Sequence, residues 1–124
     1  MSPVKRESEK KSFRFRRKEH LKRRGEIQAA FKCGKSAGCR GAKLFVLENN
    51  LPHNRICFTF SRGFGNAVKR NRAKRLGREA YRLLQCRLYG GHDMVLLIYP
   101  EENTALCGRI NQLQSLFTKT GLLR

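Results

Sequence analysis

The sequence contains few acidic residues and no long apolar run. Asp and Glu together number 9 against 28 Lys and Arg, which gives a formal net charge of +19. No segment approaches the roughly 18–20 apolar residues that a membrane-spanning helix needs, and the charged N-terminus lacks the apolar core of a secretory signal. We therefore expect a cytoplasmic protein with a polyanionic partner, either nucleic acid or an anionic membrane surface.

The sequence also lacks the patterns of a metal or covalent catalytic site. Its five cysteines are odd in number, and no pair has CxxC or CxxxxC spacing. This spacing argues against zinc, and we expect reduced thiols. Paired carboxylates and nucleophile–base sets are missing as well. We therefore predict no catalytic residue and no metal-binding residue in this chain.

Positive charge is concentrated in the first two-thirds of the chain. Residues 1–24 hold eleven Lys and Arg, and residues 62–78 hold seven with no acidic residue. Residues 1–12 are polar and aperiodic, which predicts a disordered basic arm. We expect residues 13–124 to form a single domain, because their number suits one hydrophobic core.

Apolar periodicity and turn residues predict six elements in the order α, β, β, α, β, α. The first helix is expected at Lys18–Lys32, with Leu21, Ile27, Ala30 and Phe31 facing inward, and a loop follows at 34–41. The other predicted elements are strands 43–48 and 55–61 as a hairpin, a helix at 66–89, a strand buried on both faces at 93–99, and a helix from Leu106 that ends before Gly121.

The segment AVKRNRAKRLGRE (67–79) has six cations and one acid, yet its pattern is helical. At about 100° per residue, one arc carries the apolar residues Ala73, Leu76, Ala80, Leu83 and Leu84. The opposite side carries Asn71, Lys74, Arg75, Arg78 and Arg82. Lys69 projects near the apolar arc, so either the first turn extends beyond the sheet or the Lys69 side chain snorkels to solvent, and Asn66 is expected as the N-cap. The pattern predicts an ordered helix that presents cations to solvent.

The cationic side of this helix could face solvent alone, an anionic membrane, DNA or RNA. A purely solvated face would normally mix charges of both signs. An anionic membrane would favour exposed bulky apolar residues, whereas this helix packs inward by Leu and Ala and is rich in Arg, which suits phosphate. The helix resembles the basic region of DNA-binding zipper proteins, but Gly90 stands at the next heptad position after Leu76 and Leu83. RNA is favoured, and the other three remain alternatives.

A longer motif resembles a known family. Residues 61–79, Ser-Arg-Gly-Phe-Gly-Asn-Ala-Val-Lys-Arg-Asn-Arg-Ala-Lys-Arg-Leu-Gly-Arg-Glu, are similar to the signature of the protein subunit of bacterial ribonuclease P. Three other segments resemble the same family, namely FRRKEHL (15–21), FKCGKS (31–36) and GHDMV (91–95).

The resemblance implies an α+β fold, an α/β sandwich with a small mixed sheet and packed helices. The implied order is αβββαβα-like, with a left-handed β-α-β crossover as in a ribosomal-protein domain. The crossover is expected to consist of strand 55–61, helix 66–89 and strand 93–99. Periodicity alone does not indicate this rare handedness.

The resemblance also implies a function. In this family a large RNA, with bound Mg²⁺, removes the 5′ leader of precursor tRNA. The protein binds that RNA and holds the single-stranded leader in a cleft between its first helix and the sheet. The implied partners are the catalytic RNA and precursor tRNA, with no membrane and no obligate protein partner. Mg²⁺ is expected to be bound mainly by the RNA.

Residue roles follow from the matched motifs. The RNA-binding residues are expected to be Arg62, Lys69, Arg70, Asn71, Arg72, Lys74, Arg75 and Arg78. The leader cleft is expected to contain Phe15, Ile27, Phe31 and Phe45, the last depending on an alignment gap at 37–43. For Phe31 and Phe45 a core role is the alternative, and for Asn71 a local structural amide. Phe58 and Phe60 are assigned equally to core or cleft wall.

The sequence departs from the family pattern at several positions. Ile27 replaces an aromatic residue, Gly63 replaces a basic one, Gly77 lies inside a helix, and residues 99–101 lack basic side chains. Two other functions are compatible with the sequence, a general or ribosomal RNA-binding module and a protein-only nuclease. The lack of an acidic metal site argues against the nuclease.

Overall fold

The computed structural model describes residues 19–100 and 105–123, which form three α-helices and a four-stranded sheet. In chain order these are α1 (Arg24–Cys33), β1 (Lys35–Cys39), β2 (Ala42–Glu48), β3 (Arg55–Phe60), α2 (Ala67–Leu84), β4 (His92–Ile98) and α3 (Leu106–Lys119). A short 3₁₀ helix, Gln85–Arg87, follows α2. The predicted arm at 1–12 and the cleft residue Phe15 lie outside the described residues.

The sheet is mixed, with the strand order β1-β2-β4-β3. β1 pairs antiparallel with β2, and β2 pairs antiparallel with β4. β3 pairs parallel with β4, and α2 connects these two strands. The α+β class and the αβββαβα order implied by the family resemblance are therefore confirmed.

The predicted hairpin of strands 43–48 and 55–61, which are β2 and β3, is wrong because β4 lies between them. β4 is buried over most of its length, and a strand that is apolar on both faces takes the centre of a sheet. The hairpin partner of β2 is instead β1, in the segment 34–41 that was predicted as a loop. Ser36 and Gly38 give β1 a weak strand propensity, so its pairing with β2 determines its conformation.

Two helix boundaries also differ from the prediction. α1 begins at Arg24 rather than Lys18, because the Leu21 amide donates to the Ile56 carbonyl (3.0 Å) and His20 forms an isolated parallel bridge with Ile56 at the edge of β3. α2 ends at Leu84, several residues before the predicted end at Tyr89. β4, α3 and the stop at Gly121, whose φ is +78°, agree with the prediction.

The two faces of the sheet are covered unequally. On one face, α2 and α3 pack over the main core, which includes Leu44, Met94, Leu96, Leu113 and Phe117. On the other face, α1 covers a small cluster centred on Leu21, Ala30 and Val95. The second face is therefore only partly closed, and the rest of it is open to a ligand.

Candidate nucleic-acid interface

The basic helix α2 begins with a side-chain cap. The Asn66 Oδ1 accepts a hydrogen bond from the Lys69 amide (3.0 Å), which satisfies one of the free donors at the helix start. Residues 65–72 are all exposed, so the first turn extends beyond the sheet. This agrees with the prediction for the turn that contains Lys69.

Most of the predicted RNA-binding residues are exposed to solvent. Those that are exposed are Arg62, Lys69, Arg70, Asn71, Arg72, Arg75 and Arg78, whereas Lys74 is half-buried. None of these cations forms an ion pair with another described residue. The first acid beyond them, Glu79, is bound to Arg82, and this hydrogen bond lowers the pKa of Glu79. We call residues 62–78 with these cations the basic face.

The inward side of α2 differs from the predicted arc. Ala73, Ala80 and Leu84 are buried as expected, but Leu76 is half-buried and Leu83 is 38% exposed. Their places are taken by Gly77 and Tyr81, which are buried. A Cβ at Gly77 would lie 2.7 Å from Phe58 Cε1, so the glycine allows α2 to approach the sheet. Sequence periodicity missed this contact because it weighs large apolar side chains.

The aromatic residues predicted for the cleft meet on the partly open face. The Phe31 and Phe45 rings contact edge-to-face, with centroids 4.7 Å apart and planes at 64°. Phe31 is 37% exposed, while Phe45 and Ile27 are half-buried against the small cluster. We call the Phe31–Phe45 pair and the sheet face beside it the aromatic cleft. Phe31 is therefore not a simple core residue.

The other aromatic strand residues belong to the main core. Phe58 is 9% exposed and contacts α2, and Phe60 packs on Phe64 with ring centroids 4.6 Å apart. Both lie on the face opposite the aromatic cleft, because β3 alternates its side chains. The equal choice between core and cleft wall is thus decided in favour of the core.

Arg55 connects α1 to the sheet next to the aromatic cleft. Its guanidinium binds both carboxylate oxygens of Asp93 at 2.7 Å and reaches Glu26 Oε2 in α1 at 3.1 Å. Asn49 donates to the same Asp93 carboxylate at 2.9 Å. Hydrogen bonding to Asp93 raises the pKa of Arg55. This network was missed in the sequence, where the only signal was an isolated acid in a cation-rich chain.

A pocket of about 190 Å³ lies where the basic face meets the edge of β3. Its cationic side chains come from two segments of the chain. Lys22 lies just before α1, and Lys74 and Arg78 lie in α2. At its base, burial raises the pKa of the Cys57 thiol, an effect that the charge of Lys74 partly opposes. Cys57 also packs against the small cluster beneath α1, so the pocket borders the sheet face that carries the aromatic cleft.

None of the helices in the described ranges is long and apolar enough to cross a bilayer.

The chain matches the family model Ribonuclease P over residues 15–121. The ribonuclease P protein component of Natranaerobius thermophilus is 43% identical over 77 residues, covering 62% of this chain and 67% of that protein. That of Alkaliphilus metalliredigens is 36% identical over 80 residues, covering 64% and 72%.

Solved structures agree with the sequence relatives. The RNase P protein of Staphylococcus aureus has a TM-score of 0.76 at 22% identity, covering 86% of this chain and 98% of that one. The RNase P protein of Thermotoga maritima has a TM-score of 0.69 at 25% identity, covering 78% and 93%. A family match over most of the residues, together with the shared fold, shows that this chain belongs to the ribonuclease P protein family.

Proposed function

We propose that this chain is the protein subunit of ribonuclease P in tRNA processing. In this proposal it acts in the cytoplasm, binds the catalytic RNA through the basic face, and holds the single-stranded 5′ leader of precursor tRNA in the aromatic cleft. The observation that carries the proposal is that the basic face and the sheet face of the aromatic cleft both border the pocket lined by Lys22, Cys57 and Lys74. The family relatives support it.

The basic face suits the phosphate backbone of a folded RNA. Each cation that neutralises a phosphate releases bound counterions, which makes affinity strong and dependent on salt. Because the cations of residues 62–78 have no acidic partners within the described chain, binding does not first require ion pairs to break. Arg70, Arg72 and Arg75 offer the planar fork that binds phosphate oxygens in pairs.

The aromatic cleft suits unpaired bases. Phe31 is partly exposed and is fixed by its contact with Phe45, so a base can stack on this pair without first ordering it. Ile27 provides packing but no stacking surface. Duplex RNA keeps its bases stacked on one another, so this surface favours the single-stranded leader over the paired regions of tRNA.

In this proposal the hydrolytic step belongs to the RNA, and the protein positions substrate. The described residues contain no cluster of three or more His, Cys, Asp or Glu side chains suited to a metal ion. We therefore assign Mg²⁺ to the partner RNA. Arg70, Arg72 and the other cations of the basic face neutralise phosphate repulsion where the RNA and the substrate approach each other, and the Asn71 amide is able to donate to a phosphate oxygen.

The test is reconstitution with the cognate catalytic RNA at low Mg²⁺, where RNA alone folds and binds substrate poorly. We expect the protein to stimulate cleavage of precursor tRNA at the mature 5′ end. RNA binding without stimulation would contradict the proposal and favour a general RNA-binding module. Cleavage by the protein without RNA would instead support a protein-only nuclease.

A further inference from the structure

Three charged side chains lie on the strands of the aromatic cleft face. Arg55 and Asp93 neutralise each other at one end of the sheet. Lys43, the second residue of β2, forms no ion pair with any described residue. The cleft floor therefore has one cation whose charge is not balanced by a neighbouring described acid.

Lys43 lies directly beside the aromatic pair. It is two residues before Phe45 on the same face of β2, and its Nζ lies 5.2 Å from the centroid of the Phe45 ring. On β1 its neighbour is Gly38, where even an added Cβ would contact nothing within 4 Å. On β4 its neighbour is the apolar Leu97. The ammonium group thus borders open space on one side and an aromatic face on the other.

Two other cations at this end of the cleft lie in turns outside the strands. They are Arg40 in the β1–β2 turn and Arg62, two residues after β3, whereas β4 is followed by Tyr99 and Pro100. The Tyr99 amide donates to the Gly41 carbonyl (3.0 Å), which holds the end of β4 against the β1–β2 turn near Lys43. A nucleotide strand that leaves the aromatic pair in this direction passes Lys43 before it reaches another cation on the described strands.

We propose that Lys43 binds the backbone phosphate of the leader nucleotide whose base stacks on Phe45. This inference rests on the proposed leader-binding function. In the free protein the ammonium covers the Phe45 ring through a cation–π contact. A charge-assisted hydrogen bond to phosphate is stronger than such a contact. Lys43 therefore moves from the ring to the phosphate when a base takes its place.

The first test compares two charge-removing variants in the reconstituted enzyme. Lys43→Met removes the cation and keeps the length of the side chain, and Lys35→Met is the matched control. Lys35 is exposed on β1, and its register opposite Val46 places it on the other face of the sheet. We measure the affinity of each enzyme for leader-bearing precursor and for mature tRNA over a range of salt.

We expect Lys43→Met to weaken precursor binding by about ten- to a hundredfold, as the loss of one charged hydrogen bond predicts. Its salt slope should fall by about 0.7, the value for one phosphate of a single strand. Mature tRNA should bind as before, and Lys35→Met should change neither RNA. Equal effects of the two variants, or equal losses for precursor and mature tRNA, would overturn the inference.

The second test locates the contact. Precursors with one neutral methylphosphonate linkage at successive leader positions are bound to wild-type and Lys43→Met enzymes. At one linkage the modification should weaken the wild type and leave the variant unchanged, because the phosphate and the lysine form one interaction. Independent effects at every linkage would refute a direct contact. If wild-type enzyme stimulates cleavage yet shows this additivity, only the Lys43 inference fails, and the proposed function stands.

Discussion

Gly77 is the residue at which sequence rules and structure disagree most clearly. Helix propensity alone counts it as a defect of roughly 1 kcal/mol relative to Ala. In the structure it is the point at which α2 contacts the Phe58 ring, and a Cβ would lie within 2.7 Å of Cε1. The ring is itself fixed in the main core, so it has little room to move.

We predict that Gly77→Ala lowers the free energy of unfolding by about 1–2 kcal/mol, because the cost of overpacking exceeds the gain in helix propensity. Gly25→Ala in α1 is the control, since nothing lies within 4 Å of its added Cβ, and this variant should be neutral or slightly stabilising. Urea unfolding of both variants measures the difference. Equal stabilisation by the two substitutions would show that α2 can shift away from Phe58.

Arg55 connects α1 to the sheet beside the aromatic cleft, and the sequence did not indicate this role. An arginine at the start of a strand has no motif of its own. Its importance appears only when the fold brings Glu26 and Asp93 to it from sequence positions far apart. Phe45 was predicted for the cleft from the family resemblance, and the edge-to-face contact with Phe31 confirms that the two rings lie together.

Among the elements, the first half of α2 was predictable from local sequence. Its N-cap at Asn66, its exposed first turn and its outward cations all follow from local sequence. The burial of Tyr81 and the partial exposure of Leu83 do not, because α2 packs against both the sheet and α3 and its contact stripe is set by that geometry.

We expect Arg72→Ala or Arg75→Ala to flatten the salt dependence of binding to the catalytic RNA. Each lost phosphate contact should reduce the slope of log K against log[salt] by about 0.7–0.9. Lys35→Ala is the control, because Lys35 lies on β1, the edge strand at the opposite end of the strand order from β3. Filter binding over a salt series measures the slopes. An unchanged slope in either arginine variant would place that residue outside the RNA contact.

In α1, the partly exposed ring of Phe31 allows a test of leader binding. Because this ring is 37% exposed, Phe31→Ala should cost little stability but should remove a stacking contact with the leader, worth about 1–3 kcal/mol. Affinity for precursor tRNA should fall toward that for mature tRNA. Leu51→Ala, equally exposed in the β2–β3 loop, should not change this ratio. A parallel loss for both RNAs would indicate a folding defect instead.

For the whole molecule, the sequence predicted the class of partner and the fold class, but not the order of strands in the sheet. Net charge indicated a polyanionic partner, and the apolar run at 93–99 indicated a central strand. The neighbours of that strand could not be read from the residues, because pairing depends on how sequence-distant strands share a core. The family resemblance implied the αβββαβα order along the chain and the crossover from β3 through α2 to β4, but not the position of β4 between β2 and β3.

The net charge of +19 predicts how the free protein responds to salt. Raising NaCl from about 0.01 M to about 0.15 M shortens the screening length from about 30 Å to about 8 Å. Repulsion along the basic face should weaken, so the thermal midpoint should rise. Scanning calorimetry over this range, with an uncharged osmolyte as control, measures the effect. A falling midpoint would mean that attractive pairs such as Arg55–Asp93 dominate.

The insertion of β4 between β2 and β3 has a consequence for synthesis. On the ribosome, β2 and β3 emerge before β4. Until that strand arrives, β2 can pair only with β1, and β3 has no strand of the described sheet to pair with. Pairing between distant segments also slows folding. A nascent chain that has already exposed all of the basic face therefore has no finished aromatic cleft, and the two surfaces become available together only after translation has passed β4.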